Sequence, residues 1–174
     1  MISELIKYVK EIDSTRPVTY VSNRIYDQDR LCQCLDLGDF TSINAYFGLE
    51  TARLDKVLEK IHNLFPSRAV LVTEFGDEAI RGIHGGMKGS EEYQAEVIKR
   101  TWNLIKDKNF VMGGLVWSFT DYWHQPRKLG STYLNPTYFL HGILDAKRTH
   151  KESFKVLRRL YLTENEQTSE EKEF

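Results

Sequence analysis

Ala69-Val70-Leu71-Val72-Thr73-Glu74-Phe75-Gly76 is a run of aliphatic side chains that closes on a carboxylate and a glycine. A run this short, this apolar and this rich in valine reads as a strand buried on both faces, the kind that parallel sheets use. The residues before it agree. Leu54, Val57, Leu58, Ile61 and Leu64 recur at helical spacing over residues 51–64, and Pro66 breaks the pattern before the strand begins. After it, Ser90-Glu91-Glu92-Tyr93 makes a capping-type start to a helix over residues 90–107, which leads into a further strand over 112–119.

The same alternation extends toward Met1. Ile2, Leu5, Ile6, Val9 and Ile12 mark an amphipathic helix, Asp13 to Pro17 a turn, and Val18 to Val21 a short strand. Residues 27–37 read as a weaker helical stretch and residues 39–46 as another strand. Toward the other end, residues 120–140 read as a long loop rich in Trp, Tyr, Pro, Gly and His. Thr149-His150-Lys151-Glu152 is a capping-box start to a closing helix that ends at Leu162. Residues 163–174 (TENEQTSEEKEF) form an acidic tail expected to be disordered. Four strands alternating with helices predict parallel βαβ units with right-handed crossovers. A whole (β/α)₈ barrel takes about 250 residues, so this chain reads as half of a barrel or as an open doubly wound sheet. Periodicity leaves both open.

Composition bounds the function. A net charge of −1 across 174 residues offers no broad basic surface, so neither nucleic acid nor an anionic membrane is an expected partner. No apolar run reaches the roughly 18 residues of a membrane span, and residues 1–15 lack the order of a signal peptide, so the chain carries no visible address. Cys32 and Cys34 have no second pair to complete a zinc site and read as ordinary thiols. No metal and no cofactor is expected, because the histidines and carboxylates match no metal-ligand spacing and no Gly-rich phosphate loop follows a strand. His62 and His150 fall in helical stretches and read as surface residues. His84 and His141 are open between binding a sugar hydroxyl and bonding within a loop.

A buried parallel strand delivers its last residues to the C-terminal face of the sheet, where barrels and open α/β enzymes alike place their chemistry. That makes the carboxylate of Glu74 a candidate site group, set against the alternatives of a helix cap or an ion pair. Asn44 and Tyr46 end the preceding strand, and Trp117 ends the following one. An amide, a phenol, a carboxylate and an indole at one rim would suit a carbohydrate, although each also has a purely structural reading.

As a set, Ser14-Thr15-Arg16-Pro17-Val18-Thr19, Asn44-Ala45-Tyr46-Phe47-Gly48, Val72-Thr73-Glu74-Phe75-Gly76, Gly82-Ile83-His84, Ser90-Glu91-Glu92-Tyr93-Gln94 and Trp117-Ser118-Phe119-Thr120-Asp121 resemble the C-terminal half of the catalytic barrel of glycoside hydrolase family 2. The likeness is strongest to its β-glucuronidase and β-galactosidase type, and it runs over residues 1–162. It implies a retaining β-glycosidase with Glu74 as the nucleophile, Tyr46 holding its carboxylate, Asn44 beside it and Trp117 flooring the sugar pocket. The partner is then a carbohydrate substrate.

The resemblance also implies a part that these residues do not hold. The family's acid/base Glu follows an Asn at the end of the fourth barrel strand, a segment that would precede Met1, and Glu78, Glu91 and Glu92 fall in the wrong place to replace it. The chain is therefore expected to be inactive alone and to need the N-terminal half of the barrel. The other reading is a non-catalytic half-barrel that binds sugar or assembles, as a homo-oligomer, through exposed strand edges. Glucuronidases carry N-x-K before a glycine in the last loop, whereas this chain has Phe139-Leu140-His141 before Gly142, so glucuronide specificity does not carry over.

Overall fold

The computed structural model describes residues 1–26, 34–124, 134–135 and 137–170. The elements are α1 (Ile2–Ile12), β1 (Val21–Ser22), β2 (Thr41–Asn44), α2 (Thr51–Leu64), β3 (Val70–Phe75), α3 (Glu91–Lys106), β4 (Val111–Val116), β5 (Tyr122–Trp123), β6 (Tyr138–Phe139) and α4 (Glu152–Glu170). They form two compact units, Met1–Phe75 with Trp102–Leu115, and Gly76–Thr101 with Val116–Phe174.

The first unit holds a four-stranded parallel sheet in the order β1-β2-β3-β4. Strand order follows chain order without the reversal that a doubly wound sheet requires, which decides in favour of part of an α/β barrel. Leu54, Val57, Leu58 and Ile61 of α2 are all buried, as are Ile43, Val70, Val72, Phe75 and Ile105. Each such side chain contributes about 1.5–3 kcal/mol by leaving water. The helix ends where Phe65 N–H donates to the Ile61 carbonyl, one residue before Pro66.

One irregularity in this sheet sets the direction of Glu74. Ile43 pairs with Val72, but Asn44 pairs with Glu74, so β3 carries one extra residue at Thr73. Strict alternation would put Glu74 on the face of Val70 and Val72. The bulge turns it away from them and lets Phe75 fill the core instead.

In the second unit, Ser90 starts α3 as expected, its Oγ accepting from Tyr93 N–H at 3.3 Å. The expected loop over 120–140 contains a two-stranded antiparallel ribbon, β5 with β6, which its Trp, Tyr and Phe residues favour. The start of α4 also differs from expectation. Its first N–H, at Glu152, is capped by Glu91 Oε2 at 2.7 Å, while Lys151, within the expected capping-box stretch, is completely buried. The helix extends past Leu162 to Glu170, with no Gly or Pro in that polar stretch to interrupt it.

Two smaller differences have local causes. The first strand is Val21–Ser22 and not 18–21, because Val18 N–H is taken by the Asp39 carboxylate at 2.6 Å and the Val18 carbonyl by Asp39 N–H at 2.8 Å. The helical stretch expected over 27–37 falls largely outside the described residues, as does Cys32.

Candidate active site

Asn44, Tyr46 and Glu74 lie together in the first unit, at or just beyond the C-terminal ends of β2 and β3. Tyr46 Oη donates to Glu74 Oε2 at 2.6 Å. That length is typical of a hydroxyl bonded to an ionised carboxylate, and it fixes one oxygen of Glu74 while leaving the other for a further task. The backbone locks the two strand ends together, with Ala45 N–H donating to the Glu74 carbonyl at 2.7 Å. Asn44 lies beside Thr73, whose single hydroxyl proton is shared between Asn44 Oδ1 at 2.8 Å and the Ile43 carbonyl at 2.9 Å. All three candidate side chains are half-buried, shielded yet reachable.

Two contributors escape a sequence reading. Tyr26 accepts the Tyr46 backbone N–H at 2.7 Å on its Oη and packs its ring 4.9 Å from Phe47. Burial pushes the Tyr26 hydroxyl above its ordinary pKa, with the nearby Glu74 charge adding to the same direction. Thr73 is the second, since only the bulge brings its hydroxyl to Asn44. Tyr26 sits in a stretch with no strand or helix signal, and a bulge has no signature in residue types.

Trp117 lies in the second unit, 37% exposed, its ring nearly perpendicular to that of Tyr122 at 6.1 Å between centroids. Tyr122 stacks on Phe139 at 5.2 Å, and His124 lies 4.4 Å from the same ring. The segment after Trp117 is pinned by its backbone: Ser118 N–H donates to His141, Ile143 N–H to Ser118 and Leu144 N–H to Phe119. Gly76, which ends the Thr-Glu-Phe-Gly stretch, has φ +138, and a Cβ there would sit 2.8 Å from the Trp117 carbonyl. Gly142 is required by closeness alone, since any Cβ would collide with the backbone of Thr120, Asp121 and Leu144.

Beneath this segment is a buried polar network. Lys151 Nζ donates to Asp121 Oδ1 at 2.8 Å, the Ala79 carbonyl at 2.7 Å and the Leu140 carbonyl at 3.0 Å. Asp121 Oδ1 also accepts Gly142 N–H at 2.9 Å. Burial is the larger influence on both charges, pushing Asp121 up and Lys151 down, and their contact opposes it in each. Gln94 Nε2 donates to the carbonyls of Asp77, His141 and Gly142, and its Oε1 accepts from Ser153. These bonds tie residues 77–79, 121, 140–142 and 151–153 into one frame.

The remaining histidines sort by surroundings. His141 is buried and held neutral, its pKa lowered to about 4 by burial first and by the Lys151 and Lys88 charges after it. Its Nδ1 lies 3.6 Å from Glu78 Oε1, and burial pushes the Glu78 carboxyl up. His62 is not the surface residue expected, because its ring stacks on Phe110 at 4.1 Å. His84 is exposed and pairs with Glu92 at 2.6 Å. His150 is exposed and stacks on Phe154. Among the described residues no three His, Cys, Asp or Glu side chains are grouped to hold a metal ion.

Residues 1–165 match the family description "Glycosyl hydrolases family 2, TIM barrel domain". The chain belongs to glycoside hydrolase family 2. It is 30% identical to the β-glucuronidase of Mus musculus over 172 residues, covering 90% of this chain and 25% of that protein. Its fold superposes on a crystal structure of a family 2 β-galacturonidase from Eisenbergiella tayi bound to galacturonate, with a TM-score of 0.81, 27% identity, and coverage of 93% of this chain and 30% of the other. A Bifidobacterium dentium β-glucuronidase complexed with coumarin-3-O-glucuronide gives a TM-score of 0.77 at 27% identity, covering 91% of this chain and 26% of that one. The chain thus spans about a quarter of the length of the curated relatives it matches.

Proposed function

We propose that these residues supply the nucleophile-bearing part of a retaining β-glycosidase. Glu74 attacks the anomeric carbon, the aglycone leaves with a proton from a second carboxyl group, and water then hydrolyses the covalent glycosyl-enzyme. Tyr46 keeps the attacking carboxylate in place, Asn44 is positioned to bond a sugar hydroxyl, and Trp117 offers an indole face to the pyranose ring. The observation that carries this reading is the 2.6 Å bond from Tyr46 to a Glu74 turned by the bulge to the strand end.

A retaining enzyme holds its two carboxyl groups about 5–5.5 Å apart. In this reading the second comes from a segment outside these 174 residues, so the chain alone does not turn over glycosides, and its working form includes the first half of a barrel. The relatives are named for uronides, but by the motif likeness His141, before Gly142, takes the position of the lysine that would neutralise a sugar carboxylate, and a neutral imidazole does not supply that charge. The substrate proposed is therefore a β-glycoside and not specifically a β-glucuronide.

Azide rescue tests the role of Glu74. In the complete enzyme Glu74→Gly should be inactive on an activated aryl β-glycoside, and added azide should restore turnover as the α-glycosyl azide. A β-glycosyl azide would instead assign Glu74 as the acid/base.

A further inference from the structure

Successive N–H groups along a strand point to opposite neighbours. Thr41 and Ala45 donate toward β3, to the carbonyls of Ala69 at 3.0 Å and Glu74 at 2.7 Å. The N–H of Tyr46 therefore points to the β1 side. There the ladder has already run out, because the last pair of β1 with β2 is Ser22 with Ile43. A side chain takes the place of the missing strand: Tyr26 Oη, from the segment after β1, accepts Tyr46 N–H at 2.7 Å. The Tyr26 ring is held in turn 4.9 Å from Phe47, whose own ring carries the Arg53 guanidinium at 5.8 Å. Burial first, and the Glu74 charge after it, push the Tyr26 pKa up, so at neutral pH this acceptor is an uncharged phenol.

The backbone at Tyr46 is thus gripped from both sides, through Ala45 by the Glu74 carbonyl and directly by Tyr26, and the side chain between them donates to Glu74 Oε2 at 2.6 Å. We propose that Tyr26 is a positioning residue for glycosyl transfer: by holding the Tyr46 backbone N–H it aims the Tyr46 hydroxyl, and through that hydroxyl the attacking carboxylate of Glu74. The proposal rests on the reading of Glu74 as the nucleophile. The hydroxyl of Tyr46 stands at the far end of its side chain, so a small rotation of the backbone is magnified there, and a misplacement of about 1 Å can cost about 100-fold in rate.

The test is the rate at which the complete enzyme is covalently trapped by a 2-deoxy-2-fluoro-β-glycosyl fluoride. Tyr26→Phe keeps the ring beside Phe47 and removes only the acceptor, so the maximal trapping rate should fall roughly 3- to 10-fold. The reagent concentration giving half that rate should stay within about 2-fold, since binding is not what Tyr26 serves. In a Tyr46→Phe background no hydroxyl is left to aim, and there Tyr26→Phe should change the rate by less than about 2-fold. A readout that needs no substitution is amide hydrogen exchange in the same enzyme, where the Tyr46 amide should exchange at least about 10-fold more slowly than an unprotected one. Trapping of Tyr26→Phe at the wild-type rate, equal losses in both backgrounds, or an unprotected Tyr46 amide would each overturn the proposal while Glu74 remains the labelled residue. An adduct on another carboxylate would overturn the nucleophile assignment, and the proposal with it.

Discussion

Lys151→Met removes the one cation in a buried frame while nearly keeping the volume of its stem. Lys151 is 0% exposed and its Asp121 partner 4%, so the variant leaves a carboxylate out of water together with the carbonyls of Ala79 and Leu140, which lose a shared donor. Breaking a buried pair from one side costs about 3–5 kcal/mol. With a urea dependence of about 2 kcal/mol per molar, this lowers the unfolding midpoint by about 1.5–2.5 M. The loss should depend on pH. Burial raises Asp121 above its unfolded pKa, so its favourable contribution is present below the unfolded value and is lost as pH rises through the folded one. The variant should therefore be least impaired near pH 4 and most impaired at pH 7. Adding Asp121→Asn removes the stranded charge, keeps an acceptor for Gly142 N–H, and should recover part of the loss at pH 7. Urea unfolding followed by circular dichroism at both pH values decides. A cost below about 1 kcal/mol at pH 7, or a double variant less stable than the single one, would refute the reasoning.

Three further outcomes follow from the same geometry. His141 binds its proton near pH 4 when folded and near 6.5 when unfolded, so stability should fall by up to about 3 kcal/mol as pH drops between those values; His141→Gln should remove that part of the pH dependence, and the imidazole resonance should titrate near 4. Tyr46→Phe deletes a hydrogen bond to a charged group worth about 1.5–3 kcal/mol, so kcat/KM of the complete enzyme should drop roughly 10- to 100-fold, with little change in circular dichroism. Gly142→Ala has no room for its methyl group and should lower the thermal midpoint or prevent folding, which expression yield and a melting scan would show.

The element types were legible where burial is periodic. α2 appears at the expected residues, because its four buried side chains recur at helical spacing. The β3 stretch pointed to Glu74 because an apolar strand must end somewhere, and in parallel sheets that end is the working rim. What sequence patterns could not show is non-local. The bulge at Thr73 depends on pairing with Asn44, twenty-nine residues earlier. Lys151 sat in a polar stretch that matched a capping box, and only its partners Asp121, Ala79 and Leu140 explain why a lysine is buried there. Tyr26 joins the site through a contact with a backbone N–H twenty residues away. Motif likeness carries part of this non-local information, since the family pattern sets Tyr46 beside Glu74, where the two side chains bond.

Covalent trapping tests the assignment of Glu74 most directly. A 2-deoxy-2-fluoro-β-glycosyl fluoride carries a leaving group that needs no acid assistance, so its capture reports on the nucleophile alone. In the complete enzyme, peptide mass spectrometry should find the fluoroglycosyl adduct on Glu74, and Glu74→Gln should show none while keeping its circular dichroism spectrum. An adduct on any other carboxylate, or labelling that survives in the Glu74→Gln variant, would contradict the assignment of Glu74 as the nucleophile.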